Sequence, residues 1–324
     1  MLMKFIKNCF ILLMAAVAAL PLAACGNGKI TTELSGGGAY YTFVDHAGTK
    51  IVLNEAPKRT AVLFSSFAEV WKLAGGETAV TVGESVERGF ADETALLVDG
   101  GAGKTIDTER LLSYNPDFVI CSADIAAQAE AAKLLNQSGI PAAVFHVETF
   151  SDYLNMLKIC TDITGNFENY KTYGTDVEEK VNEVKIRAEE TKSVPQDSIL
   201  FVRAGSTASA TKAKTAKDNF VCVMLNELGT RNIAENAAVL LDGLSIEEIL
   251  AENPAHIFVS TMGNEAAAKA YMESVLAGGP WQGLSAVQTG QVHFLPKDLF
   301  QFKPNARWGE AYEYLYDLLY TGLS

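Results

Sequence analysis

The chain has 324 residues, 48% of them apolar, and a formal charge of −13 at pH 7. That length and composition suit a globular protein large enough for two domains, each with its own core. So acidic a chain is a poor partner for nucleic acid or an anionic membrane surface.

Residues 1–24 read as a secretory leader rather than part of the fold: Lys4 and Lys7 form a basic start, an apolar run follows, and small residues precede Cys25. The apolar run is too short to span a membrane with confidence, and no later run reaches membrane length. The end of the leader, Leu22-Ala23-Ala24-Cys25, resembles the lipobox of bacterial lipoproteins. That resemblance implies cleavage before Cys25 and lipidation of its thiol, so the mature chain is extracytoplasmic and anchored by lipid alone. Loss of the two leader lysines takes the formal charge to −15. Residues 25–38, with several Gly, Thr and Ser and no periodicity, read as a flexible tether.

In residues 39–166, apolar and polar positions alternate around Asp45-His46-Ala47-Gly48, the pattern of a hairpin. Short apolar strands are expected at 61–64, 78–82, 118–121 and 142–146, separated by helical segments. A helix is expected over 67–73, with Gly75-Gly76 as its stop. Strands alternating with helices predict a parallel, doubly wound sheet.

From Phe167 to Lys192 the apolar residues Phe167, Tyr170, Tyr173, Val177, Val181, Val184 and Ala188 recur every three or four positions, disturbed only by Gly174 and Ile186. This predicts one amphipathic helix of roughly 35–40 Å, with Pro195 as a stop signal. Residues 193–324 repeat the α/β scheme, with strands near 198–202, 256–260 and 291–295 and a closing helix over 312–320.

The two halves echo each other. Glu109 to Pro116, followed by Asp117-Phe118-Val119-Ile120, reads as a short helix opened by an acid, closed by Asn-Pro and running into a buried strand. Glu247 to Pro254, followed by Ala255-His256-Ile257-Phe258-Val259, reads the same way. Proline cannot continue a helix and biases its predecessor towards extended backbone, so the break falls at the same place in each. The expected fold class is therefore α/β: two doubly wound α/β lobes joined by a single long α-helix.

Catalytic motifs are scarce. The run Gly100-Gly101-Ala102-Gly103-Lys104-Thr105 fails as a phosphate-binding loop, because Val98 stands where the first glycine is needed. Neither a nucleophile elbow nor a metal-binding His pair on a helix is present. His46, His146, His256 and His293 are dispersed and read as structural or surface residues; no metal site is expected. Cys121, Cys160 and Cys222 make no disulfide framework and read as buried thiols, with a Cys121–Cys160 bond open to an exported chain.

Several segments together carry a family resemblance. Val44 to Lys50 followed by Pro57 to Val62, Ile106 to Glu109 through Pro116-Asp117, Leu228 to Ala234, Leu244 through Pro254, and Trp281 to Val287 resemble substrate-binding proteins that feed ferric-siderophore, haem and cobalamin importers. The likeness runs in order over nearly the whole mature chain. It implies two lobes bridged by one helix, a ligand clamped between them with a modest change of lobe angle, and delivery to a permease driven by an ATP-binding cassette. It also implies that Glu109 and Glu247, matching the family's acidic docking positions on each lobe, meet arginines of that permease. The helix dipole gives the same two acids a purely local reason to stand in a first turn, and the two readings are compatible.

Ligands of such folds meet loops at the carboxyl ends of strands. That nominates Ser65, Ser66, Phe67, Arg88 and Phe90 in the first lobe. In the second it nominates Arg203, Met262, Phe300, Phe302, Lys303, Arg307 and Trp308. Arginines suit the oxygens of a ferric chelate, and aromatic rings suit its organic part. Lys212, Lys214 and Lys217 read as a solvated basic loop or a cleft rim. The expected protein is a monomer without cofactor, not an enzyme, that binds a ferric siderophore first, a corrinoid second and haem third. An anchored hydrolase or chelatase, and a two-lobed lipoprotein that has lost its ligand, remain the alternatives.

Overall fold

The computed structural model describes residues 38–100, 105–191 and 198–322. The expected leader, Cys25, nearly all of the tether, residues 101–104 of the rejected phosphate loop, Lys192 and Pro195 lie outside them.

The hairpin forms from β1 (Tyr41–Val44) and β2 (Lys50–Leu53), paired antiparallel. The first lobe's sheet holds β3 (Thr60–Val62), β4 (Thr78–Thr81), β5 (Leu96–Leu97), β6 (Phe118–Ser122) and β7 (Ala142–Phe145). They are all parallel, in the order β5-β4-β3-β6-β7. Helices α1 (Ser65–Leu73), α2 (Gly83–Glu87), α3 (Thr108–Ser113), α4 (Ala126–Gln137) and α5 (Phe150–Thr164) connect and cover them. The hairpin turn closes on the edge strand: Asp45 Oδ2 accepts from the Val144 N–H at 3.0 Å, and the His46 N–H donates to the Val144 carbonyl at 3.1 Å.

The second lobe contains β8 (Ser198–Ala204), β9 (Lys212–Ala213), β10 (Arg231–Asn232), β11 (His256–Thr261) and β12 (Val292–Phe294). Its parallel order is β10-β8-β11-β12, with β9 running antiparallel on the end of β8. Lys212 is thus a strand residue and not part of an open loop. The helices are α8 (Phe220–Glu227), α9 (Val239–Asp242), α10 (Ile246–Glu252), α11 (Glu265–Leu276), α12 (Ser285–Gln288), α13 (Lys297–Phe300) and α14 (Trp308–Tyr320). Strands β3, β6 and β7 correspond in place to β8, β11 and β12, so the lobes share one plan.

The connecting helix departs from the expected regular stripe. It comprises α6 (Phe167–Tyr170), one π turn (Lys171–Thr175) and α7 (Asp176–Thr191). The π turn takes in Gly174, whose missing Cβ leaves room for the Tyr170 ring and Leu154, 3.3–3.4 Å from where a Cβ would stand. Beyond it Val177, Val181, Val184 and Ala188 are buried as the stripe requires, whereas Phe167 is 66% exposed.

Each strand shows two sets of neighbours. On β8, Ile199 and Phe201 join a core that also contains Phe43, Trp71, Phe118, Val181, Phe220 and Trp308, so the inner faces of both sheets and the connecting helix share it. Leu200, Val202 and Ala204 face a separate outer core, and the first lobe has its own around Val80, Val119 and Cys121. The shared core limits how far the lobes can part without exposing apolar surface. Cys121, Cys160 and Cys222 are free and buried, and burial pushes all three thiols up, away from the reactive thiolate.

Candidate functional site

The carboxyl ends of β3 and β4 and the segment after β12 meet between the lobes. Ser65 and Ser66 open α1 and are fully buried. The Ser65 hydroxyl donates to Glu84, and Arg88 Nη1 donates to Ser65 Oγ at 2.9 Å and Ser66 Oγ at 3.4 Å. The Arg88 guanidinium carbon lies 4.6 Å from the Phe90 ring centroid and 3.8 Å from that of Phe302, which belongs to the second lobe. Burial lowers the pKa of Arg88, against the opposing pull of Glu69, Glu84 and Asp298. Arg88 is therefore occupied as a bridge between the lobes, with Lys297 Nζ 5.4 Å from the same Phe302 ring.

A second bridge lies beside it. Lys303 Nζ donates to Glu148 Oε1 at 2.6 Å, with both side chains largely buried, and stands 5.0 Å from the Phe220 ring centroid. Asn305, in the left-handed region at φ 50°, donates from Nδ2 to the Ser66 carbonyl and to Glu69 Oε2, both at 2.8 Å. Burial raises the Glu69 pKa, with Asn305, Arg88 and Arg307 pulling the other way. Glu148 Oε2, Asn305 Oδ1 and Trp308 Nε1 are buried with no hydrogen-bond partner among the described residues. Such atoms are costly to leave unmatched, about 1–3 kcal/mol each.

The second lobe's rim differs. Arg203 is half-buried, two residues past Phe201 and on its inner side of β8. Lys212 pairs directly with it across β8 and β9, so both side chains leave the sheet on one face. Among the described residues neither cation has a hydrogen bond or an ion pair. Met262, half-buried, follows β11 on the neighbouring strand, its N–H bonded to the Ala204 carbonyl at 2.8 Å.

Of the nominated residues, the structure brings together Ser65, Ser66, Arg88, Phe90 and Phe302, while Lys303 forms its own bridge to Glu148. Phe67, Phe300 and Trp308 lie in the shared core: Phe67 packs edge-on to Phe64 and Phe145, Phe300 beside Tyr314, and Trp308 against Phe150, Phe220 and Tyr312. Arg307 is held by Asp298 at 2.6 Å and by Glu310 at 2.7 Å. Glu148 went unnominated, since an acid after a strand carries no signal until Lys303 is placed against it. A groove of about 1060 Å³ runs from Phe90, whose ring also meets Arg88, along the β4–β5 edge to Lys72 and Leu96.

The histidines, far apart in sequence, stand in two pairs. His46 and His146 have ring centroids 4.8 Å apart, and His146 Nδ1 is 2.6 Å from Asp124 Oδ1. The bond to Asp124 raises the His146 pKa, partly offset by burial. His256 Nδ1 lies 3.2 Å from His293 Nε2 in the second lobe, and burial together with His256 lowers His293 to about 4. Among the described residues no group of three or more His, Cys, Asp or Glu is placed to hold a metal ion. Glu109 on α3 and Glu247 on α10 are exposed, with no hydrogen-bond or ion-pair partner among the described residues.

A model of the periplasmic binding protein family matches residues 61–299. The uncharacterized ABC transporter substrate-binding lipoprotein YvrC of Bacillus subtilis (strain 168) is 24% identical over 293 residues, covering 87% of this chain and 88% of its own. Among solved structures, the periplasmic heme-binding protein RhuT from Roseiflexus sp. RS-1, in apo form, is similar with a TM-score of 0.67 at 16% identity, covering 82% of this chain and 99% of that one. Staphylococcus aureus SirA complexed with staphyloferrin B is similar with a TM-score of 0.64 at 18% identity, covering 86% and 97%. At these identities the structural likenesses speak for the fold.

Proposed function

This chain belongs to the periplasmic binding protein family, whose members bind solutes and are not enzymes, and from that premise we propose that it captures a ferric siderophore between its lobes and hands it to an ABC-type permease. The observation that carries the ligand class is the Arg203–Lys212 pair: two cations side by side on one sheet face, unneutralised, in a chain of net charge −13. Like charges placed opposite each other in a sheet are destabilising, and an anionic chelate relieves that repulsion through charge-assisted hydrogen bonds. Phe90 and Phe302 supply the apolar wall for its organic part. The fold shared with SirA, solved with staphyloferrin B, is consistent with this choice.

Haem is the second reading, and Met262 favours it: a thioether beside two cations suits an iron and two propionates. A corrinoid, with amide side chains and at most the single negative charge of a nucleotide phosphodiester, offers Arg203 and Lys212 less charge than a ferric chelate with several anionic oxygens. The lipoprotein relative supports an extracytoplasmic chain, anchored in this reading through Cys25. Glu109 and Glu247 serve as the docking acids for the permease.

Thermal unfolding of residues 39–324 with ferric siderophores, corrinoids and haem, and with iron-free chelators as controls, tests the ligand class. Ligand at a hundredfold excess over its Kd adds about 2.7 kcal/mol, so the midpoint rises with ferric siderophores and much less in Arg203→Ala. A rise with haem alone carries the second reading. No shift with any of them contradicts both.

A further inference from the structure

Helices α3 and α10 and the strands they feed correspond residue for residue, each position of the first met again 138 positions later. Asp107 and Ser245 stand at the N-caps, Leu111 and Ile249 are buried, and Asn115 and Asn253 end the helices at φ 49° and 42°. Prolines follow both, and β6 and β11 begin at Phe118 and His256. β6 lies between β3 and β7, β11 between β8 and β12: the same slot in each sheet.

Within this register stand two leucines that folding does not explain. Leu112 and Leu250 are 42% and 40% exposed. Each lies three residues after Glu109 or Glu247, on the same face of its helix. A single exposed leucine is unremarked on most surfaces. Here the inward position of each helix is already filled by Leu111 or Ile249, and the same outward leucine accompanies the same outward glutamate in both lobes.

We propose that Leu112 and Leu250 are paired apolar contacts with the permease, each entering a hydrophobic pocket beside the cation that meets the adjacent glutamate. This rests on the docking role of Glu109 and Glu247. Two matching knobs on one chain call for a partner with two equivalent sockets, so the permease presents two like halves. A second copy of this chain is a poor occupant, because it would oppose glutamate to glutamate, and an anionic membrane is disfavoured for the same reason.

The test uses the full-length lipoprotein in its own cells, with a photo-reactive benzoylphenylalanine placed at Leu112, at Leu250 or, as a control, at Leu134, which is 55% exposed on α4. Adducts are identified by mass spectrometry. The proposal expects both Leu112 and Leu250, and not Leu134, to cross-link to transmembrane permease subunits. It also expects Leu112→Ser and Leu250→Ser each to weaken binding to that permease in nanodiscs about tenfold, with the unfolding midpoint unchanged. Adducts with a second copy, adducts from one position only, or none at all overturn it. If Glu109→Arg and Glu247→Arg abolish permease binding while the serine variants bind normally, the leucine assignment falls and the docking reading stands. If the charge reversals also bind normally, both fall.

Discussion

Arg88 follows α2 in the first lobe and Arg203 stands near the end of β8 in the second, and their surroundings differ. Arg88 is half-buried, bonded to Ser65 and Ser66 and stacked on Phe90 and Phe302. Arg203 has Lys212 as its sheet neighbour and no acid among the described residues. A guanidinium already matched by the protein contributes to how the lobes meet; one left unmatched beside a second cation is available to a ligand. On the proposed function, with residue type equal, local neutralisation separates the structural cation Arg88 from the ligand-binding cation Arg203.

That contrast is sharpened most by single substitutions. Arg203→Ala should weaken ferric siderophore binding about a hundredfold, the loss of a charge-assisted bond worth roughly 2–3 kcal/mol, without lowering the unfolding midpoint of the free protein. Arg88→Ala should reverse the pattern, with affinity falling less than tenfold and stability by about 1–2 kcal/mol, as a partly buried cation–aromatic contact and two hydroxyl bonds are lost. Equal effects of the two on affinity would break the comparison. Titration calorimetry and denaturant unfolding read both quantities.

The histidine pairs extend the contrast to pH. The second lobe's His293 has a folded pKa of about 4, below its unfolded value of about 6.5. Its unfolded form takes the proton first, so stability is full above about pH 6.5 and falls as the pH drops towards 4. The loss is about 2–3 kcal/mol, and His293→Gln should flatten that limb of the unfolding curve. His146 in the first lobe has a raised pKa through Asp124, so its contribution is full below about pH 6.5 and fades as pH rises through the folded value. Being part-exposed, it is worth under about 1 kcal/mol, and His146→Asn should remove only this small alkaline loss.

How much of this was legible depended on whether the signal was local. Asn115-Pro116 and Asn253-Pro254 fix a backbone break by sterics alone, so the echo and the two-lobed plan could be read directly. The π turn at Lys171–Thr175 could not, because a stripe at steps of three and four fits either geometry until Tyr170 and Leu154 are seen around Gly174. An apolar residue near a strand end reads alike whether it lines a cleft or fills a core, which is why Phe67, Phe300 and Trp308 were nominated with Phe90 and Phe302. The pairings His46–His146, His256–His293 and Glu148–Lys303 join residues far apart in sequence and belong to the fold. Lys212 looked like a loop residue because β9 is two residues long.

The central claim is that Arg203 and Lys212 together form the anion-binding element. Its most direct test is calorimetric titration of the ferric siderophore giving the largest midpoint rise, at low and high salt, into the parent protein and the Arg203→Ala/Lys212→Ala double variant. The account predicts that parent affinity falls as salt rises, and that the folded double variant loses both the binding and its salt dependence. Undiminished affinity in the double variant would contradict it.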